Sequence, residues 1–377
     1  MPKQPSTHNI LILINVRWWN ATAFYAVNIG RILKKKGHRV FIGCHEDYPA
    51  FKIARSYGLE VLPINFSGFH IPSLMKNLLR MARFVKTNQI HIINAHRSED
   101  HTFAVLTQRL TGVKVVLTRG DRRRISHNPL SSFKYRLADA TIVTCRNLLV
   151  QNTHVFGSLN KKTAVIYGSI DEDHFKPTRP AWETRKKYLL DPGKKIVGLV
   201  GRFSPVKDPG TFIEAAARVL DRQKDVSFII AGKEVEIKTA DLMRQIQQRN
   251  IQDHMVVLPQ IDDIADLMNI FDVGIVTSTA SETISRVLLE YMFLQKPVIG
   301  TRVNAIGEII QPGINGDLIS PGDATALSDK IIHLLKNDRL RAEYGENSLQ
   351  LYQKNYSEER FYEKTHQVFN KILSHLS

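Results

Sequence analysis

Cysteine is almost missing from this chain: Cys44 and Cys145 are its only two in 377 residues. Two thiols cannot build a disulfide framework, and neither has the neighbours of a zinc site or a redox pair. Both read as small buried residues of a chain kept in a reducing compartment. Long apolar runs are absent too. The run 10–14 follows Lys3, but it is shorter than a secretory apolar region and lacks a small-residue cleavage site. No stretch approaches the ~20 apolar residues of a membrane span. The expectation is a cytoplasmic protein, soluble or peripheral on the inner face of the membrane.

Acidic residues are scarce in one half only. Residues 1–180 hold 27 Lys and Arg against 10 Asp and Glu, whereas residues 181–377 hold 25 against 26. The formal charge of +16 therefore belongs to the N-terminal half. Such a field attracts phosphates, anionic lipid or nucleic acid.

What is present is alternation. Short Ile/Val/Leu-rich runs at 10–16, 40–42, 60–64, 90–94, 113–117, 141–144 and 163–166 read as buried parallel strands, with helical patterns such as 21–36 between most of them. The pattern restarts at 196–200 and continues through 226–231, 254–258, 273–276, 297–300 and 316–319. Pro177, Pro180 and Pro192 mark a connection between the halves. The expected architecture is α/β: two Rossmann-like, doubly wound parallel-sheet domains facing across a cleft. The expected boundaries are 1–176, a linker 177–194, and 195–356, with a terminal helix 357–377 crossing back to the first domain.

The chemistry concentrates in the second half. Gly201, Arg202 and Lys207 sit on the loop leaving the strand 196–200. Two cations five residues apart around a turn can hold both phosphates of a diphosphate, Arg by a planar fork and Lys as a point charge; a solvated loop with ordinary surface charges is the competing reading. Further on, Glu282 precedes a helix for which Ser285 is a plausible N-cap, and Glu290 lies about one turn inside it. A loop carboxylate for sugar hydroxyls, a helix start for phosphate near Ile284 and Ser285, and a helical carboxylate for ribose hydroxyls suit a nucleotide sugar. An amphipathic core helix with two incidental glutamates is the alternative.

Glu282 and Glu290, with seven residues between them, resemble the paired-glutamate motif of the retaining GT-B glycosyltransferases of the family 4 group. Residues 201–208 resemble that family's Gly-Arg-x-x-x-x-Lys loop. Ile230-Ala231-Gly232-Lys233 resembles its strand ending in glycine, and 258–263 its base-binding turn. Asn315-Gly316 through Pro321-Gly322-Asp323 resembles its later glycine loop. The resemblance spans about 165–355 and implies the GT-B fold, with bacterial lipopolysaccharide and glycan assembly as the nearest setting. It implies that Glu290 binds ribose, that Arg202 and Lys207 neutralise the diphosphate leaving group, and that Glu282 contacts the donor sugar. It also implies that Gly201, Gly232, Gln260, Ile284 and Ser285 line the nucleotide, which is UDP- or GDP-linked. No cofactor and no metal is expected, because fixed cations stabilise the departing diphosphate. Two departures stand out: Ile284-Ser285 replaces the usual Phe-Gly, and Asn304-Ala305 replaces the usual glycine pair.

In that family the N-terminal half takes the acceptor. Here the usual glycine pair after the first strand is replaced by Asn15-Val16-Arg17-Trp18-Trp19-Asn20. Trp19 could stack on a sugar or pack internally. The segment from Asn94 to His101 resembles one in lipopolysaccharide-building members; His96 is a hydroxyl contact or part of a helix start, and His96 with His101 makes no persuasive metal site. Many relatives carry a sugar-contacting His near Gly120, and Arg119 and Asp121 are the nearest replacements. Arg122, Arg123 and Arg124 with Lys134 and Arg136 either form a solvated face or recognise a phosphorylated acceptor. The helical pattern 72–86 mixes apolar residues with Lys76, Arg80, Arg83 and Lys86; it covers its own sheet or lies on an anionic membrane.

The expected activity is that of a retaining glycosyltransferase, hexosyltransferase-type, with an anionic, membrane-associated glycolipid or lipopolysaccharide-type acceptor. A GT-B isomerase or hydrolase of sugar nucleotides is the runner-up. Nucleic-acid binding is the distant third, since no recognition motif accompanies the basic half.

Overall fold

A computed structural model describes residues 7–65 and 71–374; Lys3 and the last residues of the expected terminal helix lie outside the described residues. The chain divides into two compact units. Unit 1 comprises residues 1–169 together with 358–377, and unit 2 comprises 170–357.

Unit 1 is built on a parallel sheet in the order β3-β2-β1-β4-β5-β6-β7. Its strands are β1 (Asn9–Leu13), β2 (Arg39–Cys44), β3 (Glu60–Pro63), β4 (Ile92–Ala95), β5 (Lys114–Arg119), β6 (Ala140–Val143) and β7 (Thr163–Val165). In the middle, Ile10 pairs with Val40 on one side and Ile92 on the other. Both faces of β1 are buried, which is why it reads as an unbroken apolar run rather than as an alternation. The helix Ala21–Lys35 starts where the Asn20 side chain accepts from the N–H of Ala23, and ends on Lys34 and Lys35, which suit its negative end. The helix Glu358–Ser374 belongs to this unit: Phe361 packs edge-on against Tyr25 at 4.7 Å, and Glu358 pairs with Arg31.

At the amino-terminal edge of this sheet four histidines gather. His8, His38 and His91 immediately precede β1, β2 and β4, and His366 comes from the helix Glu358–Ser374. Ring centroids are 5.4 Å apart for His8–His38 and 5.3 Å for His38–His366. Burial, with the nearby imidazoles of His366 and His8, pushes His38 down to about 4. The helix Ile71–Thr87 buries Leu78, Met81, Ala82 and Val85, so it covers the body of its unit. Its other face leaves Met75 and Leu79 exposed between Lys76, Arg80 and Arg83.

Unit 2 repeats the plan in the order β10-β9-β8-β11-β12-β13, again all parallel. The strands are β8 (Lys195–Val200), β9 (Val226–Ala231), β10 (Met255–Leu258), β11 (Val273–Val276), β12 (Val298–Thr301) and β13 (Gly316–Ile319). Residues 177–194, expected as a linker, are part of this unit. The Asp266 carboxylate caps the backbone N–H groups of Thr178 and Arg179, and Asp263 accepts from the Tyr188 hydroxyl at 2.6 Å and Lys187 at 2.7 Å. Prolines set the path of this segment, and two distant aspartates hold it down. Among the described residues no helix is long and apolar enough to cross a membrane.

Candidate functional site

In a parallel sheet the loops leaving the carboxyl ends of the strands carry the ligand groups. In unit 2 the first such loop follows β8. Gly201 donates to Ala231 at 2.9 Å, and Gly232 donates to Leu258 at 2.9 Å, so the exits of β8, β9 and β10 are stitched together. Gly232 has φ +148, and a Cβ there would overlap the Gly201 carbonyl. Only glycine fits this close approach. The loop is then tied to the exit of β9 through Phe203 N–H to the Lys233 carbonyl at 2.8 Å. Asp208 follows, capping the helix Pro209–Leu220 by accepting from Thr211 at 3.1 Å.

This loop presents its two cations differently. Lys207 lies with its alkyl chain against Gly201 and forms an ion pair with Glu282. Arg202 is exposed and, among the described residues, makes neither an ion pair nor a hydrogen bond. The β11 exit loop is held alongside: Thr277 donates to the Lys207 carbonyl at 2.8 Å and Thr279 N–H to the Val206 carbonyl at 2.9 Å. Residues 70 or more positions apart are thereby placed side by side.

Glu282 is buried and also accepts from the Ser278 hydroxyl at 2.9 Å. Burial alone would raise its carboxyl, but the Lys207 charge and the hydrogen bonds from Lys207 and Ser278 outweigh this and hold it below the usual range. Glu290 has the opposite balance. It lies in the helix Arg286–Phe293, and burial lifts its carboxyl despite the charges of Arg286 and Lys207. Arg286 reaches it one turn away at 3.0 Å. The Arg286 side chain is thus a further candidate of this site that sequence reasoning missed, although its i,i+4 spacing to Glu290 was a readable signal.

The two departures from the family pattern have a structural counterpart. Ser285 has φ 41 and Asn304 φ 42, both in the left-handed region where glycine is at ease. Ser281 shares it at φ 67. The loops they shape are joined by Ala305 N–H donating to the Glu282 carbonyl at 2.8 Å. Ser285 precedes the first helical residue, as expected of an N-cap, but its side chain makes no capping bond. Ile284, its neighbour in sequence, is buried, and Gln260 is exposed beyond the end of β10. Arg202, Lys207, Glu282, Glu290, Gly201, Gly232, Ile284 and Ser285 therefore stand on adjoining strand-exit loops and on the helix they lead into.

In unit 1 the four candidates lie at the carboxyl edge of its sheet but in unequal states. His96 is buried, with neither ring nitrogen hydrogen-bonded among the described residues, and burial pushes it down to about 3. A hydroxyl contact by His96 would need its cover to move. Arg119 is turned inward: it donates to the Tyr135 hydroxyl at 3.3 Å and to the Arg123 carbonyl. Asp121 is exposed and accepts from the N–H of Arg123 at 2.9 Å. Together they shape the 119–123 loop. Trp19 packs edge-on against Phe24 at 6.3 Å, whereas Trp18 is 69% exposed with the Arg17 guanidinium 5.2 Å over its ring. The open tryptophan is the neighbour of the one singled out from sequence.

The charge division follows the structural units closely. Unit 1 holds 28 Lys and Arg against 10 Asp and Glu, and unit 2 holds 24 against 26.

Comparison with known proteins agrees with this architecture. Residues 180–351 match the family described as Glycosyl transferases group 1, and residues 22–174 match Glycosyltransferase Family 4. The chain is 26% identical to the N-acetyl-alpha-D-glucosaminyl L-malate synthase of Bacillus anthracis, over 92% of both chains. It is 25% identical to a lipopolysaccharide core biosynthesis mannosyltransferase of Rhizobium meliloti, over 77% of this chain and 82% of that one. Among solved structures, a glycosyltransferase from Rickettsia africae superposes with a TM-score of 0.86 at 18% identity, covering 98% of this chain and 99% of that one. Anabaena HepE, solved in complex with UDP, superposes with a TM-score of 0.83 at 19% identity, covering 96% and 100%. Two adjacent family matches across most of the sequence, on a fold of two parallel-sheet units, make this chain a GT-B glycosyltransferase of the family 4 type.

Proposed function

We propose that the chain moves a sugar, with retention of configuration, from a UDP- or GDP-linked donor to an anionic, membrane-associated glycolipid or lipopolysaccharide-type acceptor. The observation that carries the donor assignment is the loop after β8. It sets a free Arg202 beside a Lys207 already fixed by Glu282, on adjoining exits of one parallel sheet. Fixed cations neutralise the charge that develops on a departing diphosphate, so transfer proceeds without a divalent metal. Glu290 takes the ribose hydroxyls, Gln260 stands by the base, and backbone near Ile284 and Ser285 meets phosphate. No carboxylate nucleophile is assigned; attack comes from the leaving-group face, where the donor phosphate accepts the acceptor's proton. HepE was solved with UDP and with UDP-glucose, which supports a nucleotide-sugar donor here.

The acceptor assignment rests on unit 1. Its excess of cations, its helix Ile71–Thr87 with Met75 and Leu79 exposed among basic residues, and relatives named for lipopolysaccharide core and phosphatidyl-myo-inositol mannosylation all favour an anionic glycolipid. These features favour a position on the cytoplasmic face of a membrane. A thermal-shift screen across UDP, GDP, ADP and CMP sugars identifies the donor, since a tight ligand raises the melting temperature by mass action. Product anomers then report retention, and unchanged turnover in chelator reports metal independence. If no nucleotide sugar stabilises the protein, the assignment is wrong. If product forms without acceptor, the chain is a hydrolase or isomerase of the same fold.

A further inference from the structure

Asn15 follows β1, and each of its polar atoms is engaged. Its N–H and Nδ2 donate to the two oxygens of Asp100 at 3.1 and 2.9 Å. Its Oδ1 accepts from the N–H of His45 at 3.0 Å, and its carbonyl accepts from Arg97 Nη1 at 3.1 Å. The exit loops of β1, β2 and β4 therefore meet at one residue. Asp100 is fully buried in the first turn of the helix Ser98–Thr111. Two residues beyond Asn15, the loop turns outward and presents Arg17 and Trp18 stacked together in solvent.

We propose that Asp100 is a positioning residue: its carboxylate fixes Asn15, and through Asn15 it sets the Arg17–Trp18 pair as a stacking platform for a sugar of the acceptor. This rests on the reading of unit 1 as the acceptor side. The indole face away from the guanidinium offers a sugar ring a flat apolar surface at little entropic cost, and the Arg17 guanidinium beside it gives hydroxyls a donor. A loop without the anchor would have to be ordered at each binding event.

Both Asp100 oxygens accept N–H groups, and the ionised form accepts them most strongly; a proton on either oxygen weakens the bond made to it. Burial pushes Asp100 up to about 6, against the hydrogen bonds from Asn15 and the charge of Arg97, while Glu99 adds to the rise. From β2 it faces the Cys44 thiol, itself pushed up to about 12 and neutral, and His45 stands one bond away through Asn15. The platform is therefore ordered above about pH 6 and loosened below it.

The test uses the full chain with Trp19→Phe and Trp182→Phe, leaving Trp18 as the only tryptophan. Its emission and acrylamide quenching are followed as pH falls from about 8 to about 5. One transition near pH 6 is expected in this parent. Asp100→Asn should show none and sit at the acid-side value throughout. Asn15→Asp combined with Asp100→Asn exchanges donor and acceptor without changing net charge, and should restore the neutral-side value, with any transition moved to lower pH because position 15 is less buried than position 100. Octyl α-D-mannoside should perturb Trp18 in the parent and in the exchanged pair, with an affinity about fivefold lower in Asp100→Asn, the loss of one hydrogen bond. A flat parent, a single variant that titrates like the parent, or a glycoside response that is absent or equal in both overturns the proposal. Far-UV circular dichroism and stabilisation by UDP-glucose or GDP-mannose are read on the same samples. If neither nucleotide sugar stabilises any of them, the donor reading fails, while the Trp18 transition still decides this proposal.

Discussion

Lys207 and Glu282, 75 positions apart in sequence, form an ion pair with both side chains largely withdrawn from water. Arg202, five positions before Lys207, has no such partner among the described residues. The two cations of one loop should therefore respond differently to removal. Lys207→Met strands a buried carboxylate and should cost about 3 kcal/mol in the unfolding of unit 2 by denaturant. Pairing it with Glu282→Leu should recover most of that loss while leaving transfer abolished. Arg202→Ala should change stability by less than about 0.5 kcal/mol, yet lower kcat roughly a hundredfold or more. Equal stability losses in Lys207→Met and Arg202→Ala would contradict the pairing.

Ser285 adopts a left-handed backbone conformation that costs a non-glycine residue about 1–2 kcal/mol. Ser285→Gly should raise the stability of unit 2 by roughly 0.5–1 kcal/mol once the extra freedom of glycine in the unfolded chain is subtracted. Asn304→Gly should gain less, because asparagine tolerates this region. Calorimetric melting of the two variants gives the comparison. A loss of stability in Ser285→Gly would mean that its side chain holds the loop by contacts outweighing the strain.

The histidine cluster gives unit 1 an acid-sensitive edge. His38 faces His8 and His366, with Tyr362 at 3.3 Å from its Nε2 and Lys36 over the Tyr362 ring. An unfolded histidine titrates near 6.5, whereas folded His38 is held down to about 4. The unfolded chain thus takes up the proton first as pH falls. The stabilisation is complete above about pH 6.5 and is lost progressively toward pH 4. It amounts to at most about 3 kcal/mol, and less to the extent that water screens the cluster. Denaturant midpoints at several pH values should show this slope, and His38→Gln should flatten it.

Membrane docking by the helix Ile71–Thr87 predicts a salt-dependent affinity for anionic vesicles. Reversing Arg80 and Arg83 to Glu should weaken flotation with phosphatidylglycerol vesicles about thirtyfold or more, at about 1 kcal/mol per cation removed. Leu79→Ser should weaken it without altering the salt slope. Flotation indifferent to all three changes would leave the helix as cover for its sheet and nothing more.

The sequence made the sheets legible because both are parallel and covered on both faces. Strands such as β1, β8 and β9 then become mainly apolar runs, with loops at predictable ends. The positions of the candidate donor residues were legible for the same reason, since they lie on loops that follow strands or on the helix such a loop opens. What stayed hidden depends on contacts between distant positions. Nothing local told Trp18 from Trp19; the difference is that Phe24 lies beside one of them. Arg119 read as a free cation until the Arg123 carbonyl and the Tyr135 hydroxyl were seen to occupy it. Residues 177–194 carry the prolines of a linker, and only Asp263 and Asp266, some 75 to 88 positions on, show why the segment is anchored. The histidine cluster combines four strands and helices and has no sequence signature at all.

Unit 1 is discontinuous: its sheet is complete by β7, but the helix Glu358–Ser374 that seals Tyr25, Arg31 and His38 arrives only after all of unit 2. A ribosome therefore releases the two units in an order opposite to their start. Unit 2, contiguous in the chain, can fold during synthesis, while the half begun first waits, unsealed, for the last helix. A frameshift or proteolytic nick near residue 357 would spare unit 2, which precedes it, and damage the unit made of the earliest residues.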